Sequence, residues 1–184
     1  MFKRLFGLSR SPNEKIVDSL YEQIVAAARQ PRFYADWLVP DTPTGRFEML
    51  SLHMFLFLRR SRTGNEALGA IAQETVDMFF TEIDHSLREL GISDTGVPRR
   101  MKKLARMFYG RTQTYTQALE AGDRTAIAEA LARNVAPSDP AWPGADDLAA
   151  YALAADRALA LQSDAAIVAG NISFAAHAPA EVEP

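Results

Sequence analysis

The sequence predicts an all-α protein that forms one domain of about seven helices. Apolar residues recur at intervals of three and four along most of the chain, which is the spacing of one helix face. Two capping boxes, Ser11–Glu14 and Thr63–Glu66, carry the side chains that satisfy free N–H groups at the start of a helix. No segment alternates apolar and polar residues with β-branched enrichment, so no sheet is expected.

The helix boundaries follow from caps and breakers. A first helix starts at the first capping box, with Pro12 in its first turn, and ends before Pro31. After the loop 39–45, a second helix begins near Arg46, and a third runs from the second capping box to Gly91, a residue typical of helix ends. The remaining helices are predicted at 98–109, at 112–121, after the N-cap Asp123 and, rich in alanine, at 146–166.

Length and composition limit the class of protein. The 184 residues correspond to one domain with at most an appendage, and the absence of cysteine excludes disulfides, thiolate metal sites and cysteine nucleophiles. The most apolar run, Met49–Leu58, has ten residues, whereas a spanning helix needs about 20. The N-terminal MFKRLFGLSR lacks the apolar region of about 7–15 residues that a secretory signal has, so none is expected.

Charge is unevenly distributed along the chain. The net charge of −3 argues against a dedicated nucleic-acid binder. Residues 1–111, however, hold 17 Lys and Arg and 13 Asp and Glu, a balance of +4, whereas residues 112–184 hold 3 and 10, a balance of −7. The second half is also rich in alanine. The two halves are therefore expected to have different roles.

The helix that begins near Arg46 is apolar around its whole circumference. Phe47, Leu50, Met54 and Phe57 lie on one side, and other apolar residues occupy the remaining sides. Such a helix is either buried in the core or carries a second face for a partner. Its histidine, His53, is correspondingly either buried and hydrogen-bonded or a polar contact at a groove.

Catalytic and metal-binding patterns are sparse. Glu82 and His85 form one E-x-x-H, but a di-iron bundle needs this motif twice together with two further glutamates. His85 also lies opposite the apolar stripe of its helix and is expected to face solvent. The sequence contains no G-x-S-x-G, G-x-x-x-x-G-K or G-x-G-x-x-G motif. We therefore predict no metal, no cofactor and no catalytic residue.

A basic stripe is the most specific feature that the residues alone provide. On a helix that starts at Pro98, four cationic residues fall within about 100° of one another: Arg99, Lys102, Lys103 and Arg106. Because no acid occurs between Asp94 and Glu120, these cations have no partner one helical turn away. The pattern is either an ordinary solvated face or a surface for a polyanion such as RNA phosphate, anionic lipid or an acidic protein.

Three extended motifs resemble the ubiquinol–cytochrome c chaperone family: VPDTPTGRFEMLSLHMFLFLRR, FFTEIDHSLRELGISDTGVPRRMKKLARMFYGR and LARNV. Their order and spacing match from about residue 21 to 135, and the later AGNISF is similar to the ending of bacterial members. The motif residues that the resemblance carries over include Asp41, Thr42, Gly45, Arg46, Phe47, Tyr109, Gly110, Arg133 and Asn134.

The resemblance implies a non-enzymatic, all-α assembly chaperone for the cytochrome bc1 complex. It implies cytochrome b or another bc1 subunit as the client, and the ribosome, an anionic membrane surface and an accessory assembly protein as further partners, but no DNA. The implied location is cytoplasmic or peripheral on the cytoplasmic face of the inner membrane. The residues alone leave open a helical ligand-binding protein with an enclosed pocket or a module that binds RNA or the ribosome.

These expectations define two surfaces and three segments. The helix after Gly45 is expected to line a client groove with Leu52, His53, Phe55, Leu56 and Arg59. The basic stripe is expected to orient the protein on anionic lipid or the ribosome. Residues 1–11 are expected to be a flexible basic N-terminus, 12–170 the helical chaperone domain and 171–184 a flexible tail.

Overall fold

The structure, a computed structural model of the chain, describes residues 13–174, and this range contains eight helices and no strand. The all-α fold class is therefore confirmed. The helices are α1 (Glu14–Ala28), α2 (Pro31–Ala35), α3 (Pro43–Ser61), α4 (Glu66–Glu89), α5 (Val97–Ala121), α6 (Arg124–Val135), α7 (Ala145–Ala160) and α8 (Asp164–Val168). Within the same range, no helix combines the length and apolar character needed to cross a membrane.

The largest differences from the predicted helices are at α5 and at α7 with α8; in addition, α3 begins at Pro43 rather than near Arg46, and α2 was not predicted. The helices expected at 98–109 and 112–121 form one continuous helix, α5. Gly110 lies inside it, but a helical glycine costs only about 1 kcal/mol relative to alanine, and buried Phe108 and Tyr115 anchor the helix on both sides of it. The expected helix 146–166 instead ends at Ala160, because Ser163 caps α8 by accepting a hydrogen bond from the Ala166 N–H.

Helix α3 is the centre of the fold. It packs against α1, α4, α5, α6 and α7, so helices cover it on nearly every side. This explains its apolar circumference, since each face meets a different neighbour. Phe47 stacks on Phe79 of α4, and Phe55 meets Tyr115 of α5 edge to face.

The start of α3 depends on local geometry in the family motif. Thr42 is the N-cap, and its Oγ1 accepts a hydrogen bond from the Gly45 N–H at 3.1 Å. A Cβ on Gly45 would lie 1.9 Å from the carbonyl oxygen of Pro40, so only glycine fits there. Asp41 and Arg46 form an exposed ion pair across this cap, with Arg46 Nε 2.6 Å from Asp41 Oδ1. These motif residues therefore position the start of the central helix.

The segment after α8 lies against the domain. Residues 171–174 were predicted to begin the flexible tail, but Ile172 is buried and its N–H donates to Gln23 Oε1 of α1 at 3.1 Å. Ile172 and Phe174 therefore contact the domain, whereas Asn171 and Ser173 are exposed. The rest of both predicted terminal segments, residues 1–11 and 175–184, lies outside the described residues, as does residue 12.

Replacing Gly45 by alanine should destabilise the protein by about 2–3 kcal/mol, because the new Cβ collides with backbone rather than with a flexible side chain. The matched control is Gly69→Ala within α4, where a Cβ would meet nothing. This control should be neutral or stabilising by up to about 1 kcal/mol. Urea denaturation measures both, and equal stability of the two variants would contradict the close approach at Gly45.

Candidate functional site

The residues predicted to line a client groove lie in the core. Leu52, His53, Phe55 and Leu56 are each at most 4% exposed. The sequence left open whether α3 is a core helix or carries a partner face, and the packing of five helices around it makes these side chains core residues. They do not form an open groove in this conformation. A polar substitution at Phe55, for example, would destabilise the fold as well as affect any contact with a client.

Arg59, the fifth predicted groove residue, connects three helices. Its Nε lies 2.9 Å from Asp156 Oδ1 of α7, and its Nη1 lies 3.2 Å from Glu120 Oε1 at the end of α5. These are bonds between helices that pack together, so the guanidinium is engaged in holding the C-terminal half of the fold onto α3.

His53 is fully buried and has both ring nitrogens paired. Its Nδ1 lies 2.7 Å from the Met49 carbonyl oxygen and its Nε2 lies 2.8 Å from the Tyr151 hydroxyl of α7. Since a carbonyl can only accept, Nδ1 carries the proton and Nε2 accepts from the tyrosine O–H. Burial lowers the pKa of His53 to about 4, so the ring is neutral at physiological pH.

Aromatic rings enclose this histidine. Phe33, Tyr151 and Phe174 have ring centroids 5.7, 5.5 and 5.0 Å from the His53 ring. Phe33 and Trp37 also contact Tyr151, and the Arg32 guanidinium lies 5.6 Å from the Tyr151 ring centroid. No sequence pattern pointed to Tyr151, which is 98 positions away from His53 and lies in an alanine-rich helix.

A second buried polar group on α3 faces α5. Glu48 is 3% exposed and makes a close ion pair with Arg111, while its Oε1 and the Ser51 hydroxyl have no hydrogen-bond partner within the structure. Burial raises the pKa of Glu48 to about 7, although Arg111 acts in the opposite direction. Thus each of the two deeply buried titratable groups of α3 receives its partner from a different neighbouring helix.

The basic stripe lies on the surface, as its spacing predicts. Arg99, Lys102, Lys103 and Arg106 are exposed, and none makes an ion pair with another residue between 13 and 174. Tyr109 continues the exposed part of α5 with 54% of its surface accessible, and a Cβ on Gly110 would meet only open space. These six positions therefore form one accessible, cationic helix surface.

The remaining motif residues have structural contacts. Asn134 of α6 donates through Nδ2 to the Tyr115 hydroxyl at 3.0 Å and to the Ala130 carbonyl at 2.8 Å. Arg133 is exposed and lies 3.8 Å from Glu129 on its own helix. The pair Arg133–Asn134 thus contributes one residue to the α5–α6 contact and one to the surface.

The predicted groove residues Leu52 and Phe55 line a space of only about 10 Å³ between α3 and α5. A surface cleft of about 620 Å³ is lined by Arg29, Pro31, Tyr34, Ala35, Asp41 and Arg46, and it is open to solvent. Asp41 and Arg46 are engaged with each other there, and His53 lies in the packed core. The ligand-carrier alternative required a closed apolar cavity with His53 or Asp41 pointing in, and neither residue is so placed.

His85 is exposed, as predicted, and its Nδ1 lies 3.9 Å from Glu82 Oε1. Within residues 13–174, no group of three or more His, Asp or Glu side chains is arranged to hold a metal ion.

Comparisons with known proteins agree with the motifs. Residues 35–174 match the family model described as Ubiquinol-cytochrome C chaperone, which confirms the resemblance read from the sequence. The structure is similar to the crystal structure of the Cbp3 homolog from Brucella abortus, with a TM-score of 0.83 and 58% sequence identity over 89% of this chain and 91% of that chain. No curated protein matches the sequence.

The two buried groups of α3 should make stability depend on pH in opposite directions. The pKa of His53 is lowered from 6.5 to about 4, so its contribution is fully present above pH 6.5 and is lost as the pH falls toward 4. The pKa of Glu48 is raised from 4.5 to about 7, so its contribution is present at low pH and is lost as the pH rises through 7. Between pH 7 and 4.5 each changes stability by about 2 kcal/mol, and in the wild type they largely cancel.

Single variants separate the two effects. In Glu48→Gln, His53 is the one of these two groups that still titrates. The free energy of unfolding of this variant should therefore fall by about 2 kcal/mol between pH 7 and 4.5 relative to wild type. In His53→Asn only Glu48 titrates, and the free energy should rise by a similar amount over the same interval. Urea denaturation at several pH values measures both. Parallel profiles for the two variants would contradict this assignment.

Proposed function

The chain belongs to the ubiquinol–cytochrome c chaperone family, and on this premise we propose that it assists assembly of the cytochrome bc1 complex by binding a subunit rather than by catalysing a reaction. The observation that carries the proposal is the family match from residue 35 to 174, which includes the whole of the six helices α3 to α8. The 58% identity to the Cbp3 homolog over most of both chains supports it.

The client that this function favours is cytochrome b, the subunit that the family resemblance implies. A chaperone of a membrane subunit has to meet its client where that subunit enters the membrane. The client would not contact Leu52, Phe55 or Leu56 directly, because neighbouring helices already cover these side chains.

The basic stripe is the surface that we propose for contact with the anionic face of the membrane. Four exposed cations on one helix side, without acidic partners among residues 13–174, suit a layer of lipid phosphates. Each Lys or Arg near such a surface contributes about 1 kcal/mol. The protein would thus be peripheral on the cytoplasmic side. Ribosomal RNA also presents phosphates, and the vesicle experiment below separates the two.

Deleting the gene in its own host should lower the amount of assembled bc1 complex severalfold, because cytochrome b would lack its chaperone. The b-type haem spectrum of membranes and their ubiquinol–cytochrome c reductase activity measure this. Succinate dehydrogenase activity in the same membranes is the control and should not change. Normal bc1 content in the deletion strain would contradict the proposed function.

Reversing two charges of the basic stripe, Lys102→Glu with Lys103→Glu, should weaken binding to phosphatidylglycerol vesicles by at least about 30-fold, because two attractive contacts of about 1 kcal/mol are lost. The matched control is Lys15→Glu with Arg62→Glu, which changes the net charge equally at exposed sites on other parts of the surface. Vesicle sedimentation measures both variants. Equal binding by both pairs would refute the stripe, whereas loss of sedimentation with ribosomes alone would assign it to RNA.

A further inference from the structure

The end of the described chain, residues 170–174, follows α8 along the domain, with a turn at Gly170 (φ +85°) and no helix or strand after it. Side chains alternate along it: Ile172 is 7% exposed, Asn171 and Ser173 face solvent, and Phe174 is half-buried with its ring 5.0 Å from the His53 ring. This two-residue period is that of an extended peptide that presents alternate side chains to a surface. We call these five residues the C-terminal segment.

Two glutamine side chains hold the backbone of the C-terminal segment. Gln23 of α1 donates from Nε2 to the Gly170 carbonyl at 2.7 Å and accepts at Oε1 from the Ile172 N–H at 3.1 Å. Gln162, just after α7, donates from Nε2 to the Ser173 carbonyl at 2.6 Å and accepts at Oε1 from the Ser173 N–H at 2.9 Å. Each amide thus satisfies one carbonyl and one N–H of the segment, as a neighbouring strand would.

Side chains of the C-terminal segment contribute little to this hydrogen bonding. Asn171 and Ser173 make only 3.5 Å contacts with backbone oxygens of their own neighbourhood. Recognition therefore rests on the backbone and on the two inward apolar side chains, Ile172 and Phe174. This is the division found when proteins bind extended peptides: backbone hydrogen bonds give affinity, and pockets for alternate side chains give specificity.

We propose that the surface formed by Gln23, Gln162 and the ring of His53 is a peptide-binding site, and that the C-terminal segment occupies it in place of a client. The occupant that fits is an extended, uncharged segment of the client with two apolar side chains at alternate positions, one of them aromatic. An uncharged occupant is expected because the groups that meet the segment are neutral. They are two amides, the Ser19 hydroxyl, which donates to the Gly170 carbonyl at 3.0 Å, and a histidine whose Nδ1 and Nε2 are already paired. The assignment to a client rests on the proposed chaperone function.

The C-terminal segment regulates access to this site. A segment tethered to its own site competes at an effective concentration in the millimolar range. A client segment therefore binds only when it is locally concentrated or bound elsewhere on the chaperone at the same time. The same tether returns the segment to its site when the client leaves, so the apolar surface around His53 is not left open to solvent.

The test uses the full chain and a fluorescein-labelled peptide with the sequence of residues 169–174. Phe174→Ala weakens the competing segment, so this variant should bind the peptide at least about tenfold more tightly than wild type in fluorescence anisotropy. Adding Gln162→Leu to Phe174→Ala should reduce binding again by at least about tenfold, because one backbone clamp is lost. The matched control adds Gln113→Leu, at an exposed glutamine of α5, and should leave binding unchanged.

Circular dichroism and thermal unfolding establish whether Phe174→Ala folds. The proposal is overturned if the folded variant binds the peptide no better than wild type. It is also overturned if the variant binds the peptide equally well with and without Gln162. In either case the segment is a fixed part of the fold. If the variant does not fold, wild type is used instead. Millimolar unlabelled peptide should then speed hydrogen exchange of the Ile172 and Ser173 amides severalfold, and unchanged exchange overturns the proposal.

Failure of this inference is distinguishable from failure of the proposed function. Peptide binding is measured on the purified chain and needs no bc1 complex, whereas the deletion strain reports assembly. A strain that loses bc1 complex while the peptide does not bind overturns the site alone. Peptide binding together with normal bc1 content would keep the site and overturn the client that we assign to it.

Discussion

Burial of α3 is the constraint on which the rest of the structure depends. A helix that is apolar on every side is stable in water only if other helices cover each side, and α1, α4, α5, α6 and α7 all pack against it. Its deeply buried titratable groups then need partners inside that shell. Tyr151 of α7 provides one for His53 and Arg111 of α5 one for Glu48, so these two helices are fixed in register as well as in position.

The uneven charge of the sequence has a structural explanation in the same shell. The basic half contributes Arg59 and Arg60 at the end of α3, and the acidic half contributes Asp156 of α7 and Asp164 of α8. Arg60 also donates to the backbone carbonyls of Leu159 and Gln162, at the C-terminal end of α7. Opposite charges of the two halves thus meet at one junction. The stripe on α5 is left facing solvent because the acidic half packs elsewhere.

The sequence predicted the all-α class and most of the helices, but not α2, the continuity of α5 or the choice between core and surface. Caps such as Asn65 and the apolar periodicity of α4 predict local structure, and exposure of the basic stripe follows from helical spacing alone. Whether Leu52 and Phe55 belong to the core or to a groove depends on which distant helices cover them. The alanine-rich sequence of α7 has too weak an apolar pattern to show that α7 packs against α3. The hydrogen bonds from Gln23 and Gln162 to the C-terminal segment could not be predicted either, because no local sequence pattern marks a glutamine that binds a distant backbone segment.

If the C-terminal segment is displaced as we propose, α3 is a core helix along most of its length and carries a partner face at His53. Most of α3 is covered by helices, whose removal would expose large apolar areas and unfold the domain. The edge at His53 is different, because there the covering ring belongs to Phe174, in a segment held by two side-chain amides and two apolar contacts. Such a segment separates at far lower cost than a packed helix. In the proposed site, reversible exposure of apolar surface, which a chaperone requires, occurs at this edge, where opening leaves the core intact.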